Sequence, residues 1–175
     1  MSDLLLLANL LDGPKHGYAL KKQVGLISGQ EEMHNNLVYP LLRRFVESGW
    51  VSKRRGAGER GQTREIYSLT GKGKRELLRR LSEVTSKEMA SENAFHLRVG
   101  LFAALDAATC GRILAERDCW LAAREERLAR LGAAMDLGAW GGEVVRFRRE
   151  QIRSERKWIA RLKRKAARGD RKSPG

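Results

Sequence analysis

Between Trp50 and Leu69 two short alternating stretches, W-V-S-K-R-R (Trp50 to Arg55) and E-I-Y-S-L (Glu65 to Leu69), flank the glycine-rich, basic tip G-A-G-E-R-G-Q (Gly56 to Gln62). A period of two is that of a half-buried strand, and glycines between two such runs mark a hairpin. Helical spacing surrounds it. Three patterns precede: Asp3 to Leu11, ended by the turn D-G-P; His16-Gly17 to about Ile27, with Leu20, Val24 and Ile27 at helical intervals; and a third opening at Asn35. A fourth follows, capped by Thr70 and beginning at Gly71, with Leu77, Leu78 and Leu81 facing inward. Three helices, a basic two-stranded hairpin and a fourth helix make the order of a winged helix-turn-helix.

The third pattern, N-N-L-V-Y-P-L-L-R-R-F-V-E-S-G-W (Asn35 to Trp50), puts Leu37, Leu41, Leu42 and Phe45 on one face and Asn36, Tyr39, Arg43 and Arg44 on the other. Pro40 falls near the end of the first turn, where a missing N–H costs little, and Gly49 stops the helix. A helix of this kind fits the major groove and reads base edges from its N-terminal end; asparagine pairs bidentately with adenine. Asn35 and Asn36 are therefore the base-reading candidates, with helix capping the competing role for either. Of the consecutive Arg43 and Arg44, Arg43 lies four residues after Tyr39 and is the DNA-facing candidate. Lys53, Arg54, Arg55, Arg60 and Arg64 surround the hairpin, which in such folds approaches the backbone or minor groove.

The formal charge of +14 is unevenly placed. Residues 1–90 carry net +6, residues 91–145 net −2 and residues 146–175 net +10. A basic N-terminal region fits a polyanionic partner, because each neutralised phosphate releases counterions. Cys110 and Cys119 are the two cysteines and form no C-x-x-C pair, which fits a reducing, cytoplasmic setting. The apolar run L-L-L-L-A-N-L-L is too short to span a bilayer and lacks the flanks of a signal peptide, so it reads as a buried first helix with no membrane role.

From Ser91 onward there is no strand signal, and three helices are expected over about 91–105, 109–135 and 142–167. In the last, Val145, Ile152 and Ile159 recur every seven residues with Leu162 three further on, a narrow seam of the kind that packs against a partner helix. Trp120, Trp140 and Trp158, with Phe95, Phe102 and Met135, offer flat surfaces for a planar hydrophobic molecule, or ordinary core and dimer packing.

The segments L-x-x-L-L-D-G-P-K-H-G-Y-A-L, N-L-V-Y-P-L-L-R-R-F-V-E-S-G-W-V and R-x-I-Y-S-L-T-x-K-G-K, spread over residues 4–81, resemble the successive signatures of PadR-type transcriptional regulators. The resemblance implies a mainly α fold with a small β-wing, in which an N-terminal winged helix-turn-helix is followed by a C-terminal helical dimerisation region. The division expected is residues 1–90, 91–168 and a basic, disordered tail at 169–175. It also implies a ligand-responsive repressor that dimerises through C-terminal helices and binds pseudo-palindromic operators. Tyr18 and Tyr39 would then lie against phosphates, Val145, Ile152, Ile159 and Leu162 would join the homodimer, and Trp120, Trp140 and Trp158 would line a site for a small aromatic effector. Where family members commonly carry a small residue and threonine before the Tyr-Pro pair, this chain has Asn35, Asn36 and Leu37, so its base preference should differ.

No catalytic pattern emerges: the three histidines are scattered, and H-E-x-x-H, G-x-S-x-G, a Walker loop and an acidic metal cluster are all missing, so neither an enzyme, a cofactor nor a metal is expected. The hairpin glycines spell G-x-G-x-x-G, but no helix N-terminus follows to hold a phosphate. Two other readings compete with the repressor: a non-specific or architectural nucleic-acid binder using Arg146 to Lys172, and a protein-interaction module whose winged helix has lost DNA binding.

Overall fold

The computed structural model describes residues 2–27, 35–57 and 63–169. Arg60 at the wing tip and the expected tail beyond 169 lie outside them. The chain divides into two compact units. One takes residues up to 83 together with 93–104, the other 84–92 together with 105 onward.

In the first unit, α1 (Ser2–Ala8), α2 (Gly17–Ile27), α3 (Asn35–Glu47) and α4 (Gly71–Ser82) enclose one apolar core. Leu4 to Leu7 and Leu10 are all buried, which is why that run shows no amphipathic period. They meet Leu20, Val38, Leu42, Phe45, Leu77 and Leu81, each worth about 1.5–3 kcal/mol of burial. The phase of α3 differs from expectation at one position. Leu37 is 44% exposed and Val38 fully buried. One residue turns a helix by about 100°, and the inward set 38, 42, 45 leaves Leu37 on the flank beside Arg44.

The wing strands β2 (Val51–Ala57) and β3 (Thr63–Leu69) pair antiparallel from Val51↔Leu69 to Ala57↔Thr63. A two-residue strand, β1 (Lys15–His16), joins the other edge of β3 through Lys15↔Tyr67 and His16↔Ile66, giving the order β1-β3-β2. Two residues are too few to show a period, so β1 was not legible in advance. At the base of the wing, Gly49 ends α3 with φ +70°, and the Thr70 hydroxyl lies 2.7 Å from the Gly49 carbonyl while accepting from the Gly73 amide at 3.0 Å. A Cβ on Gly73 would stand 2.0 Å from the Trp50 carbonyl oxygen, so α4 can start there only on glycine.

The single helix expected at 91–105 is instead α5 (Ser86–Ala90), α6 (Glu92–Val99) and a 3-10 turn at Phe102–Ala104. Around the expected boundary at residue 90 the two units interleave, residues 84–92 going to one and 93–104 to the other. Arg98, buried on α6, donates to the Arg80 and Leu81 carbonyls at 2.9 and 2.6 Å, closing the C-terminal end of α4 with a positive charge and tying 93–104 to the first unit.

The second unit is a long antiparallel hairpin of α7 (Ala107–Ala134) and α8 (Gly138–Gly169), with α5 against α7. Asp106 caps α7 through the Thr109 amide at 2.7 Å, and Gly138, at φ +61°, makes the turn. Across the hairpin, Arg117 grips Glu155 bidentately at 2.8 and 3.0 Å and also donates to the Met89 carbonyl of α5. Asp118 receives Arg156 at 2.9 Å and Lys163 at 3.0 Å, and Glu125 receives Arg153 at 2.6 Å. Burial works to raise the Asp118 pKa, yet the bonds from Arg156 and Lys163 win and hold it below the usual carboxylate range. Cys110 is buried and Cys119 exposed.

Candidate nucleic-acid interface

Gly17 opens α2 directly after β1, and a Cβ there would lie 3.1 Å from Tyr39 Cε1 and 3.4 Å from Tyr67 Cε2. Its bare backbone is what lets the tyrosine of α3 close in on the start of α2, with the tyrosine of β3 at contact distance beside it. Together they leave a cleft of about 700 Å³ lined by His16, Gly17, Tyr18, Ala19, Tyr39, Arg64, Glu65 and Tyr67. Tyr18 is 65% exposed at its mouth, and Tyr39 is also exposed. The ring hydroxyls of Tyr18 and Tyr39 with the Arg64 guanidinium at a concave surface suit an oxyanion of a backbone.

The wing supplies a second layer. Lys53 pairs across the ladder with Tyr67, and Arg55 with Glu65, so these four share one face of the sheet. Glu65 is the acid that organises it, receiving Lys53 Nζ at 2.7 Å and the Tyr67 hydroxyl at 2.6 Å. The Lys53 and then the Tyr67 bond hold the Glu65 carboxyl below its usual range. Burial, and after it the bond to Glu65, push the Tyr67 phenol well up, so it stays a donor at any physiological pH. Lys53, Arg54, Arg55 and Arg64 are all exposed.

Of the residues singled out from sequence, Tyr18, Tyr39 and Arg64 come together at the cleft, Arg43 is exposed on α3, and Lys53 and Arg55 stand on the wing. Asn35 and Asn36 fall in the first turn of α3, and their side chains lie outside the described part. Arg60 lies outside it altogether. Sequence reasoning passed over Gly17, Glu65 and Tyr67. The signal for Tyr67 was its place in the β3 alternation, on the face of Glu65 and opposite Lys53.

The C-terminal candidates are not gathered in this way. Trp120 lies between the guanidinium groups of Arg117 and Arg124, 4.9 and 5.1 Å from its ring centre, Trp140 is 86% exposed, and Trp158 is half-buried. A crevice of about 640 Å³ at the hairpin end is lined by Leu128, Met135, Leu137, Val145 and Arg149 among others, with no tryptophan. The seam expected to meet a second chain is filled within the hairpin. Ile159 is fully buried and Ile152 nearly so, while Val145 and Leu162 are half-buried, because α8 lays this face on α7 of its own chain. What stays exposed is another row, Trp140, Val144 and Phe147, with Leu131 and Met135 at the end of α7.

Among the described residues no helix is long and apolar enough to cross a membrane, and no cluster of His, Cys, Asp or Glu is arranged to hold a metal.

Residues 6–79 match the model of the transcriptional regulator PadR-like family. The chain is similar to Bacillus subtilis PadR, whose structures are in complex with operator DNA (18% identity, 94% of this chain and 98% of that one covered, TM-score 0.46) and with p-coumaric acid (18%, 94% and 98%, TM-score 0.42). It is also similar to the protein TA0346 of Thermoplasma acidophilum, at 28% identity over 60% of this chain and 93% of that one, TM-score 0.44. No curated protein is significantly similar.

Proposed function

On the premise that residues 6–79 of this chain are a PadR-like transcriptional-regulator domain, we propose that the protein is a sequence-specific, homodimeric repressor that grips duplex DNA with α3 and the wing. The family is one of regulators rather than enzymes. The observation that carries the reading is the cleft in which Tyr18, Tyr39 and Arg64 converge beside the exposed Arg43 face of α3. Phosphate contacts there fix register, and side chains in the first turn of α3, Asn35 and Asn36, discriminate bases. Sequencing the DNA that co-purifies with the protein tests this: one enriched pseudo-palindrome should emerge, bound about 10³-fold or more tighter than random duplex at physiological salt. Uniform enrichment across the genome would sink it.

The homodimer is assigned to the exposed row rather than the filled seam. Trp140, Val144 and Phe147 are spaced i, i+4, i+7, so they share one face of α8, and an apolar row of that size on a water-facing helix favours a second copy. A small hydrophobic effector, if it acts, has the hairpin-end crevice as its candidate seat instead of the three tryptophans. Such a ligand shifts DNA affinity only by binding the competent and incompetent states unequally.

A further inference from the structure

From Arg153 onward the cations of α8 fall into two classes. Arg153, Arg156 and Lys163 face α7 and are matched there by Glu125 and Asp118. Lys157, Arg161, Arg164, Lys165 and Arg168 are all exposed and form no ion pair among the described residues. At about 100° per residue these five fall within an arc of roughly 100°, on the side of the helix opposite buried Ile152 and Ile159. No acid occurs between Glu155 and Asp170. The arrangement sets like charges at i, i+4 three times (157/161, 161/165, 164/168), each of which disfavours the helix. A stripe that works against its own helix in this way is suited to a dense line of negative charge.

From this geometry we propose that the last three turns of α8 are a second nucleic-acid surface, which binds the phosphate backbone of a double helix without reading sequence. This goes beyond operator recognition by the winged helix and does not depend on it. From Lys157 to Arg168 the helix rises about 17 Å, a length over which duplex DNA carries about ten phosphates on its two strands together, of which those on the near side face the stripe. Two other anionic partners fit less well. Membrane-surface helices need a free apolar face beside the basic one, and here the apolar face is spent on α7; among the described residues no large hydrophobic side chain beyond Phe147 is exposed. Single-stranded nucleic acid is held by bases stacked on aromatic rings, and the ring that borders the stripe, Trp158, is half-buried.

The test uses the full chain with Lys157, Arg161 and Arg164 changed together, once to Gln and once to Glu, and checked for unchanged helicity by circular dichroism. Each lost phosphate contact lowers the slope of log affinity against log salt by about 0.9. For a random duplex the triple Gln variant should therefore lose roughly 1 to 3 units of slope, and the Glu variant should bind more weakly still. Affinities for the selected operator and for random duplex should fall by the same factor, leaving their ratio unchanged. Asn36→Ala serves as the contrast, since it should shrink the ratio; if it does not, the winged-helix reading fails while the stripe stands. An unchanged slope and affinity in both triple variants overturns the proposal. So does a loss confined to phosphatidylserine-containing vesicles, or a wild-type preference for single strands over duplex.

Discussion

Gly17 shows how much of the candidate interface hangs on a missing atom. A methyl group there meets the Tyr39 ring at 3.1 Å and only touches Tyr67 at 3.4 Å, so Gly17→Ala should push Tyr39 aside and weaken duplex binding about tenfold, or 1.4 kcal/mol, with little change in melting temperature. Fluorescence anisotropy beside a thermal melt separates the two effects; equal loss of both would mean that the glycine matters for folding instead. Arg43→Ala and Arg64→Ala should each cost about 1–3 kcal/mol of operator affinity and lower the salt slope by about one unit, whereas Asn36→Ala should relax discrimination at one base position. Three variants binding like the wild type would refute the docking. Residues of this kind were readable from sequence where a period or a motif held them, as with Tyr39 and Arg43. Leu37 was not, because a row of four apolar residues in eight fixes a helix face only to within one residue, and Val38 took the inward place. Glu65 was not either. An acid among arginines looks like mere charge balance until the ladder sets it between Lys53 and Tyr67.

Within the elements, charge pairs hold what apolar packing leaves open, and acid should reveal them. On α4, bonds from Arg79 and then Arg80 hold Glu76 at about 2, against an ordinary value of 4.5. A carboxyl depressed in this direction adds stability that is fully present above about pH 4.5 and is lost as pH falls toward 2. Melts between pH 6 and 2.5 should show a shallower acid limb for Glu76→Gln than for the wild type; identical limbs would place the acid sensitivity elsewhere. The Arg117–Glu155 pair is buried, and its removal from one side strands a charge. Arg117→Met alone should cost about 3–5 kcal/mol, and adding Glu155→Leu should recover most of it, by denaturant midpoints. If the double variant is no better than the single, the Met89 carbonyl left without its donor is the dominant loss. The helices of this hairpin were legible within a few residues from their periods and turn glycines. Their partnership was not: a seven-residue seam announces that something packs on it, but only tertiary folding decides that the something is α7 of the same chain.

For the whole molecule, a second chain is assigned to Trp140, Val144 and Phe147, and the assignment separates cleanly from folding. Phe147→Asp should yield monomers by light scattering at micromolar concentration with full helicity, while Ile152→Asp, inside the hairpin, should cost stability first. A Phe147→Asp variant that stays dimeric would return the interface to some other surface. The order of helices, wing and hairpin was visible from sequence alone, but the interleaving of the two units on either side of residue 90 was not, since no composition shift marks the place where residues 84–92 join one unit and 93–104 the other. That interleaving means the DNA-binding half is not a detachable cassette. A polypeptide cut after residue 90 would carry an orphaned segment of the neighbouring unit and lack Arg98, the plug for the open carbonyls at the end of α4, and any graft of this reader onto another protein has to travel with its borrowed strip to residue 104.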